Sequence, residues 1–535
     1  MADQDTKFSF HDLAVGARFF FSLPRFLRAR LTPERATAIF ERRLQNREEN
    51  FLRLAAGGIF SRPGNPYHVL LRNAGCRYGD LADLVRKDGL ETALSALFRA
   101  GVFLTSEEYK GRREVRRGTL RLAVSSEELH NPLSRYHIPV RSSGSRGAGT
   151  PIMIGLDFIT ECAVSSYLAF LARNGGNWVK ADWEIPGGGA LFRLLKYSRF
   201  GRPPERWFSH INPSSSGLHP RYAWSVRWLR WAGLLAGVAL PNIQYVSVEN
   251  PLPVVLWMAE VLARGQTPFL LTFASSAVRA AGAACEFGID LRGAKFMLGG
   301  EAVTRAKLQA VARSGAEGIP RYGAIETGPV GYGCLNPDFP DDVHLNSDLH
   351  ALIQPGPEGE RLGIPPEALF LTSLSPHAPF LFLNVCLGDQ GVRETRKCGC
   401  PIETMGLKTH LHTIRSYEKL TGAGMTYLDV DIIRILEEAL PRRFGGGPTD
   451  YQLVEEEGER GKPIMRLLVH PRLGALDEAA VRRAFLETAG RGSSLKIMMG
   501  QIWKETDILR IERRPPLTAR SGKILHLVAK PPDVS

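Results

Sequence analysis

Residues 142–151 read Ser-Ser-Gly-Ser-Arg-Gly-Ala-Gly-Thr-Pro, with three serines and three glycines between two strand-like runs, YHIPVR and PIMIG. Glycines let backbone N–H groups turn inward, and hydroxyls add donors. That is the chemistry of a nest for phosphate oxygens. No Gly-Lys-Ser/Thr follows, so it is not a Walker loop. By itself the composition describes a surface loop equally well. Three further segments follow in order. Gly299-Gly300-Glu301 ends the strand-like AKFML. Tyr322-Gly323-Ala324-Ile325-Glu326-Thr327-Gly328-Pro329 comes next, and Pro516-Leu517-Thr518-Ala519-Arg520-Ser521-Gly522-Lys523 lies near the end. No G-x-S-x-G elbow or Ser-His-Asp set is evident.

These segments must be positioned by a large fold. The chain has 535 residues, 44% apolar and 23% charged. Those proportions suit a globular protein of several domains and exclude global disorder. Residues 11–130 alternate amphipathic helical patterns with polar breaks. Thr32-Pro33-Glu34 starts one helix, and 80–101 reads as two short ones. Asp157 is expected to cap the helix FITECAVSSYLAFLARNG. From 180 to 330 strand-like runs (IQYVSV, PFLLTF, AKFMLGG) alternate with helical ones, the pattern of an α/β sheet layered between helices. After about residue 415 a helix, two strands, a helix and further strands read as a small α+β domain.

Seven cysteines, an odd number, do not make a disulfide framework. The polar N-terminus does not read as a secretory signal, and no run reaches about 18 apolar residues, so the expected compartment is the cytoplasm. The formal charge of +13 is spread along the chain. That distribution suits polyanionic small ligands better than nucleic acid.

With the four segments in this order, the chain resembles the adenylate-forming superfamily, and within it the phenylacetate–coenzyme A ligase branch, over roughly residues 60–530. The resemblance implies an α/β fold with a large N-terminal domain, 1–414, of layered sheets and helices, helical over about 1–130. A small mobile C-terminal α+β domain, 415–535, carries a catalytic lysine. It implies that Ser142, Ser143, Gly144, Ser145 and Gly147, with Arg146 where a hydroxyl residue is usual, hold the β- and γ-phosphates of ATP. Gly299, Gly300 and Glu301 would line the adenine pocket, Tyr322 would stack on the base beside Gly323, and Glu326 would help to hold Mg²⁺. Asp389 would grip the ribose. Arg415 would open the hinge, with Gly424 nine residues on, and Lys523 would be catalytic. Ile325 stands where a hydroxyl is usual, and Thr327 is the substitute one position late.

The implied reaction is activation of a carboxylic acid, expected to be aromatic, by MgATP to an acyl-adenylate and pyrophosphate, then transfer to coenzyme A. Such chemistry needs positioning and charge neutralisation between anions rather than covalent work by the protein. Alternatives are transfer to an amine or a carrier-protein thiol, or a non-catalytic nucleotide-binding or membrane-surface protein on the same fold, which Arg146 and Ile325 favour. Relatives in this branch pair a Cys-x-Cys element with an earlier Cys and His. Cys398 and Cys400, with Cys334 and His344, occupy those places and would make a tetrahedral structural zinc site. His410 and His412 are weaker candidates, and Cys386 reads as core.

Trp224, Trp228 and Trp231 interleave with Arg221, Arg227 and Arg230. The stripe is expected to be a core helix with snorkelling arginines, with a membrane-surface helix as the alternative. FFFSLPRF (19–26) reads the same way, and LRWAGLLAGVALPNIQY (229–245) as buried helix and strand. Peripheral membrane contact is therefore not expected.

Overall fold

A computed structural model describes residues 10–141, 150–185, 187–211, 229, 231–417, 419–422, 425–457, 463–489, 509–518, 523–524 and 526–529. The N-terminal region is helical. Helix Pro33–Gln45 opens on Thr32, whose Oγ1 accepts from Arg35 N at 3.3 Å, with Pro33 at the first turn where its missing N–H costs nothing. Helices Tyr78–Asp88 and Leu90–Arg99 follow, parted by Gly89 at φ +81°. Arg43 reaches across to the buried Asp348 at 2.5 Å, fastening this region to the body.

A twelve-stranded sheet forms that body. Six strands are parallel in the order Ile243–Tyr245, Arg206–Ser209, Val179–Glu184, Pro268–Phe273, Lys295–Gly299 and Glu317–Ala324. Their apolar runs, such as the wholly buried PFLLTF, suit strands covered on both faces by helices. Strand Glu317–Ala324 then pairs antiparallel with Gly328–Gly333, and the rest of the sheet is antiparallel. The tight turn between those two strands is the Tyr-Gly-Ala-Ile-Glu-Thr-Gly segment. A bulge falls at Tyr322/Gly323. A Cβ on Gly323 would stand 2.4 Å from Gly328 O, so only glycine allows the two backbones to approach this closely.

Strand Thr409–Ser416 stays in the large sheet through Ser416, which pairs with Asp389. A hairpin of Lys419–Gly422 and Met425–Leu428 follows. The C-terminal part is a four-stranded sheet in the order Leu509–Arg513, Pro463–Val469, Tyr451–Glu457, Leu527–Ala529. Helix Glu478–Ala489 covers it through Val481 and Phe485, both fully buried. The architecture is thus mixed α/β: a large sheet with helices, and a small C-terminal sheet domain.

Two local expectations are corrected. Asp157 does not cap its helix. Gly155 is the N-cap of Leu156–Leu171, and Asp157 sits in the first turn, where a carboxylate favours the helix dipole. Segment 229–245 is not uniformly buried: Trp231, Leu234 and Leu235 are 63%, 66% and 58% exposed. The helical turn there buries its small residues, Ala232 and Gly233, and turns its large ones outward.

Candidate active site and metal cluster

The parallel strands end at one edge, the place where open α/β sheets bind ligands. Phe273 closes one strand and Gly299 the next. Gly300 follows at φ +74°, a left-handed conformation that favours glycine. A Cβ there would lie 2.8 Å from the Phe273 ring and 3.1 Å from Lys523 Cε. The missing side chain is therefore what lets Lys523 enter. Its Nζ stands 4.9 Å from the Phe273 ring centroid, a cation–π distance. Burial pushes the Lys523 ammonium below its ordinary range. The carboxylates of Glu301, Glu326 and Asp389 pull it back up, and Arg193 adds to the fall.

The lysine is held through its neighbour Ile524. The Glu301 carboxylate accepts from Ser275 N at 2.9 Å, Ser275 Oγ at 2.7 Å and Ile524 N at 3.2 Å. Glu301 thus ties the residue after Lys523 to the end of the central sheet. Behind it Lys307, 1% exposed, donates to Ala302 O at 3.0 Å and pairs with Glu437 at 3.1 Å. Glu437 also accepts from Thr304 and pairs with His526. Thr304 and Lys307 belong to the large sheet's helical layer; Glu437 and His526 belong to the C-terminal part.

Across the site, Tyr322 Oη donates to Asp389 Oδ2 at 2.9 Å. Burial and the Asp389 charge hold the Tyr322 phenol well above its ordinary range, so it stays a donor. Glu326 is 7% exposed. Burial and the Glu326 charge also raise the Tyr109 phenol, while a bond to Thr150 opposes them. Thr327 Oγ1 is taken up by its own turn, at 3.3 Å from Ala324 N and 3.2 Å from Gly328 O. Ile325 packs on the main core. Arg415 donates to Asp341 at 2.6 Å, and Asp341 also accepts from Thr413 N and Ile414 N. Glu301, Glu326 and Asp389 therefore act on the Lys523 charge, Gly300 packs against its stem and Tyr322 bonds Asp389, while Gly299 and Gly323 lie near the ends of adjoining strands and Arg415 is held by Asp341. Ser142, Ser143, Gly144, Ser145, Arg146 and Gly147 lie outside the described residues, as do Trp224 and Trp228.

Sequence reading missed Phe273, Asp341, Lys307, Glu437 and His526. The Asp341-Asp342 doublet was the one available signal. The rest are ordinary residue types whose role depends on long-range contact.

A second constellation lies on the antiparallel side. Cys334, His344, Cys398 and Cys400 place one ligand atom each within 4.8 Å of one another. His344 Nε2 is 3.2 Å from Cys400 Sγ and 3.7 Å from Cys398 Sγ. Its Nδ1 is 2.7 Å from Leu407 O, which makes Nδ1 the donor and leaves the Nε2 lone pair facing the sulfurs. Burial, with His410 beside it, holds the His344 ring down at about 4, so it is neutral. Gly399, at φ +68°, lets the Cys-x-Cys turn wrap inward. His410 instead bonds Asp342 at 2.7 Å and His412 stacks on Phe339 at 3.7 Å. Cys334, Asp342 and His410 form a second, three-residue group that shares Cys334. Cys386 is fully buried in the main core. Among the described residues no helix is long and apolar enough to cross a membrane.

No protein-family model and no curated protein sequence matches the chain. Solved structures do. The chain is similar to 2-hydroxyisobutyryl-CoA ligase in complex with 2-HIB-AMP and CoA, at 14% identity over 94% of this chain and 91% of that one, with a TM-score of 0.45. It is similar to the anthranilate CoA ligase AuaEII in complex with anthranoyl-AMP, at 14% identity, 73% and 65% coverage and a TM-score of 0.41. It is similar to O-succinylbenzoate coenzyme A synthetase (MenE) from Bacillus subtilis, in complex with ATP and magnesium, at 13% identity, 74% and 70% coverage and a TM-score of 0.39.

Proposed function

We propose that the protein activates a carboxylic acid with ATP and passes the acyl group to coenzyme A. The observation that carries this is the seating of Lys523, delivered from the C-terminal part under Gly300 and facing Glu326 and Asp389. In the first step a carboxylate oxygen of the acid bonds to the α-phosphorus and the bond to the leaving pyrophosphate breaks. Charge builds between two anions, and a buried ammonium neutralises it where water cannot screen it. In the second step the thiol sulfur bonds to the acyl carbon, AMP leaves, and the thiol proton goes to solvent or phosphate. Lys523 has no part in that step, so a lysine on a separable module (residues 415–535 in this reading) can withdraw after the first.

Asp389, oriented by Tyr322, would take the ribose hydroxyls. Ser142–Gly147 with Arg146 would cradle the outer phosphates. Mg²⁺, when bound at Glu326, supplies further positive charge to the phosphate chain. Phe273, His210 and Trp183 form a run of rings, with centroids 5.7 and 4.9 Å apart, beside the lysine. Such a wall suits an aromatic acid. Zn²⁺, when bound by Cys334, His344, Cys398 and Cys400, supplies a closed tetrahedral staple between the strand after Gly328 and the loop before Thr409. Hydroxylamine trapping over a panel of aryl and alkyl acids tests the reading. Hydroxamate that needs both ATP and an acid, and thioester only when coenzyme A is added, is the expected result. Hydroxamate without thioester removes coenzyme A as acceptor, and neither product from any acid removes the reading.

A further inference from the structure

Two segments about 200 residues apart in sequence meet on one face, where Arg28 Nη2 donates to Leu235 O at 2.5 Å. On helix Phe10–Arg28 the residues Leu23, Phe26 and Leu27 are buried in the main core, while Phe21 is 80% exposed. Arg18, Arg25 and Arg28 flank Phe21 at helical spacing on the same exposed stripe. The helical turn 231–235 presents Trp231, Leu234 and Leu235 at i, i+3 and i+4, all more than half exposed, while Leu229 and Ala232 anchor it in that core. Large apolar side chains turned outward over buried small ones are the reverse of what folding alone favours, and such a patch marks an interaction surface.

The first of these segments carries charge of one sign. Residues 17–30 contain Arg18, Arg25, Arg28 and Arg30 and no Asp or Glu. Tryptophan, leucine and phenylalanine in a field of arginines are the components of a shallow lipid-interface anchor, with apolar groups entering the acyl boundary and guanidinium groups meeting anionic head groups. We propose that this face docks the protein on anionic lipid surfaces. This face is separate from the catalytic centre: Phe21, Trp231, Leu234 and Leu235 are remote in contact from Lys523, Tyr322 and Asp389.

The test is flotation of the full chain with vesicles of phosphatidylcholine alone and of phosphatidylcholine with one-quarter phosphatidylglycerol. The parent is expected to float with the anionic vesicles and not with the zwitterionic ones, and to be released by 0.5 M salt. Trp231→Ser/Leu234→Ser/Leu235→Asn is expected to weaken binding by about tenfold or more through lost apolar area. Arg18→Glu/Arg25→Glu is expected to weaken it by about tenfold or more through reversed charge. Each variant is used only with a melting temperature matching the parent. No flotation of the parent with anionic vesicles would overturn the proposal, as would parent-like binding by both variants. Light scattering that shows a parent dimer dissolved by the triple variant would also overturn it, assigning the face to a second copy of the chain.

Discussion

Glu437→Gln breaks the buried ionic cluster that joins the C-terminal part to the central body, while keeping the side chain's shape. Glu437 is 1% exposed in its side chain; its Oε1 meets Lys307 at 3.1 Å and also His526, and its Oε2 accepts from Thr304. Burial alone would raise its carboxyl. Lys307 and His526 overcome that and hold it at about 2 against an ordinary 4.5. A fall of that size corresponds to roughly 3 kcal/mol. Removing one member of a buried pair costs about 3–5 kcal/mol because the partner is left charged and unpaired, so the two figures agree. The sign follows from a depressed value. The contribution is complete above about pH 4.5 and is lost as the pH falls toward 2. Urea denaturation at pH 7 and pH 3 is the assay. We expect Glu437→Gln to lower stability at pH 7 by about 3 kcal/mol. We also expect the acid-side loss of the parent to be blunted in the variant, and Lys307→Met to relieve part of the defect in the double mutant. A Glu437→Gln protein within about 0.5 kcal/mol of the parent at pH 7, with the same pH profile, would refute the role given to the cluster.

Three other outcomes are expected. Gly300→Ala puts a Cβ 2.8 Å from Phe273 and 3.1 Å from Lys523 at φ +74°; adenylate formation should fall at least about tenfold, with melting temperature reduced by only a few degrees, and unchanged activity would show that Lys523 does not need this opening. Asp389→Asn should raise the KM for ATP by about tenfold, the loss of a charged acceptor facing Tyr322, with kcat less affected; an unchanged KM counts against the ribose assignment. Purified protein should contain about one zinc per chain by mass spectrometry, and Cys400→Ser should lose it together with thermal stability; metal-free protein of parent stability would refute the staple.

Much of this was legible in the chain because it is written in local chemistry. Thr32-Pro33 starts a helix because cap and proline act within one turn. Gly300 and Gly323 fall at strand ends where positive φ or close backbone approach demands glycine, so composition betrays geometry. Cys398-x-Cys400, with Cys334 and His344, was named from the family resemblance, not from its spacing. What was not legible depends on distance along the chain. Glu437 meets Thr304 across 133 residues and His526 across 89, and no periodicity records such pairing. Arg415 was named from its place before the hinge, but the Asp341 that holds it could not be. Trp231 was read as core because a Trp/Arg stripe usually is. Its exposure follows from Ala232 and Gly233 being the residues small enough to sit against the body.

Exchange of labelled pyrophosphate into ATP, run on the parent and on Lys523→Ala over the same acids, tests the central claim most directly. The account predicts exchange that depends on a particular acid and falls by about a hundredfold or more in the variant, while nucleotide binding is retained. Equal exchange in the two proteins would contradict it.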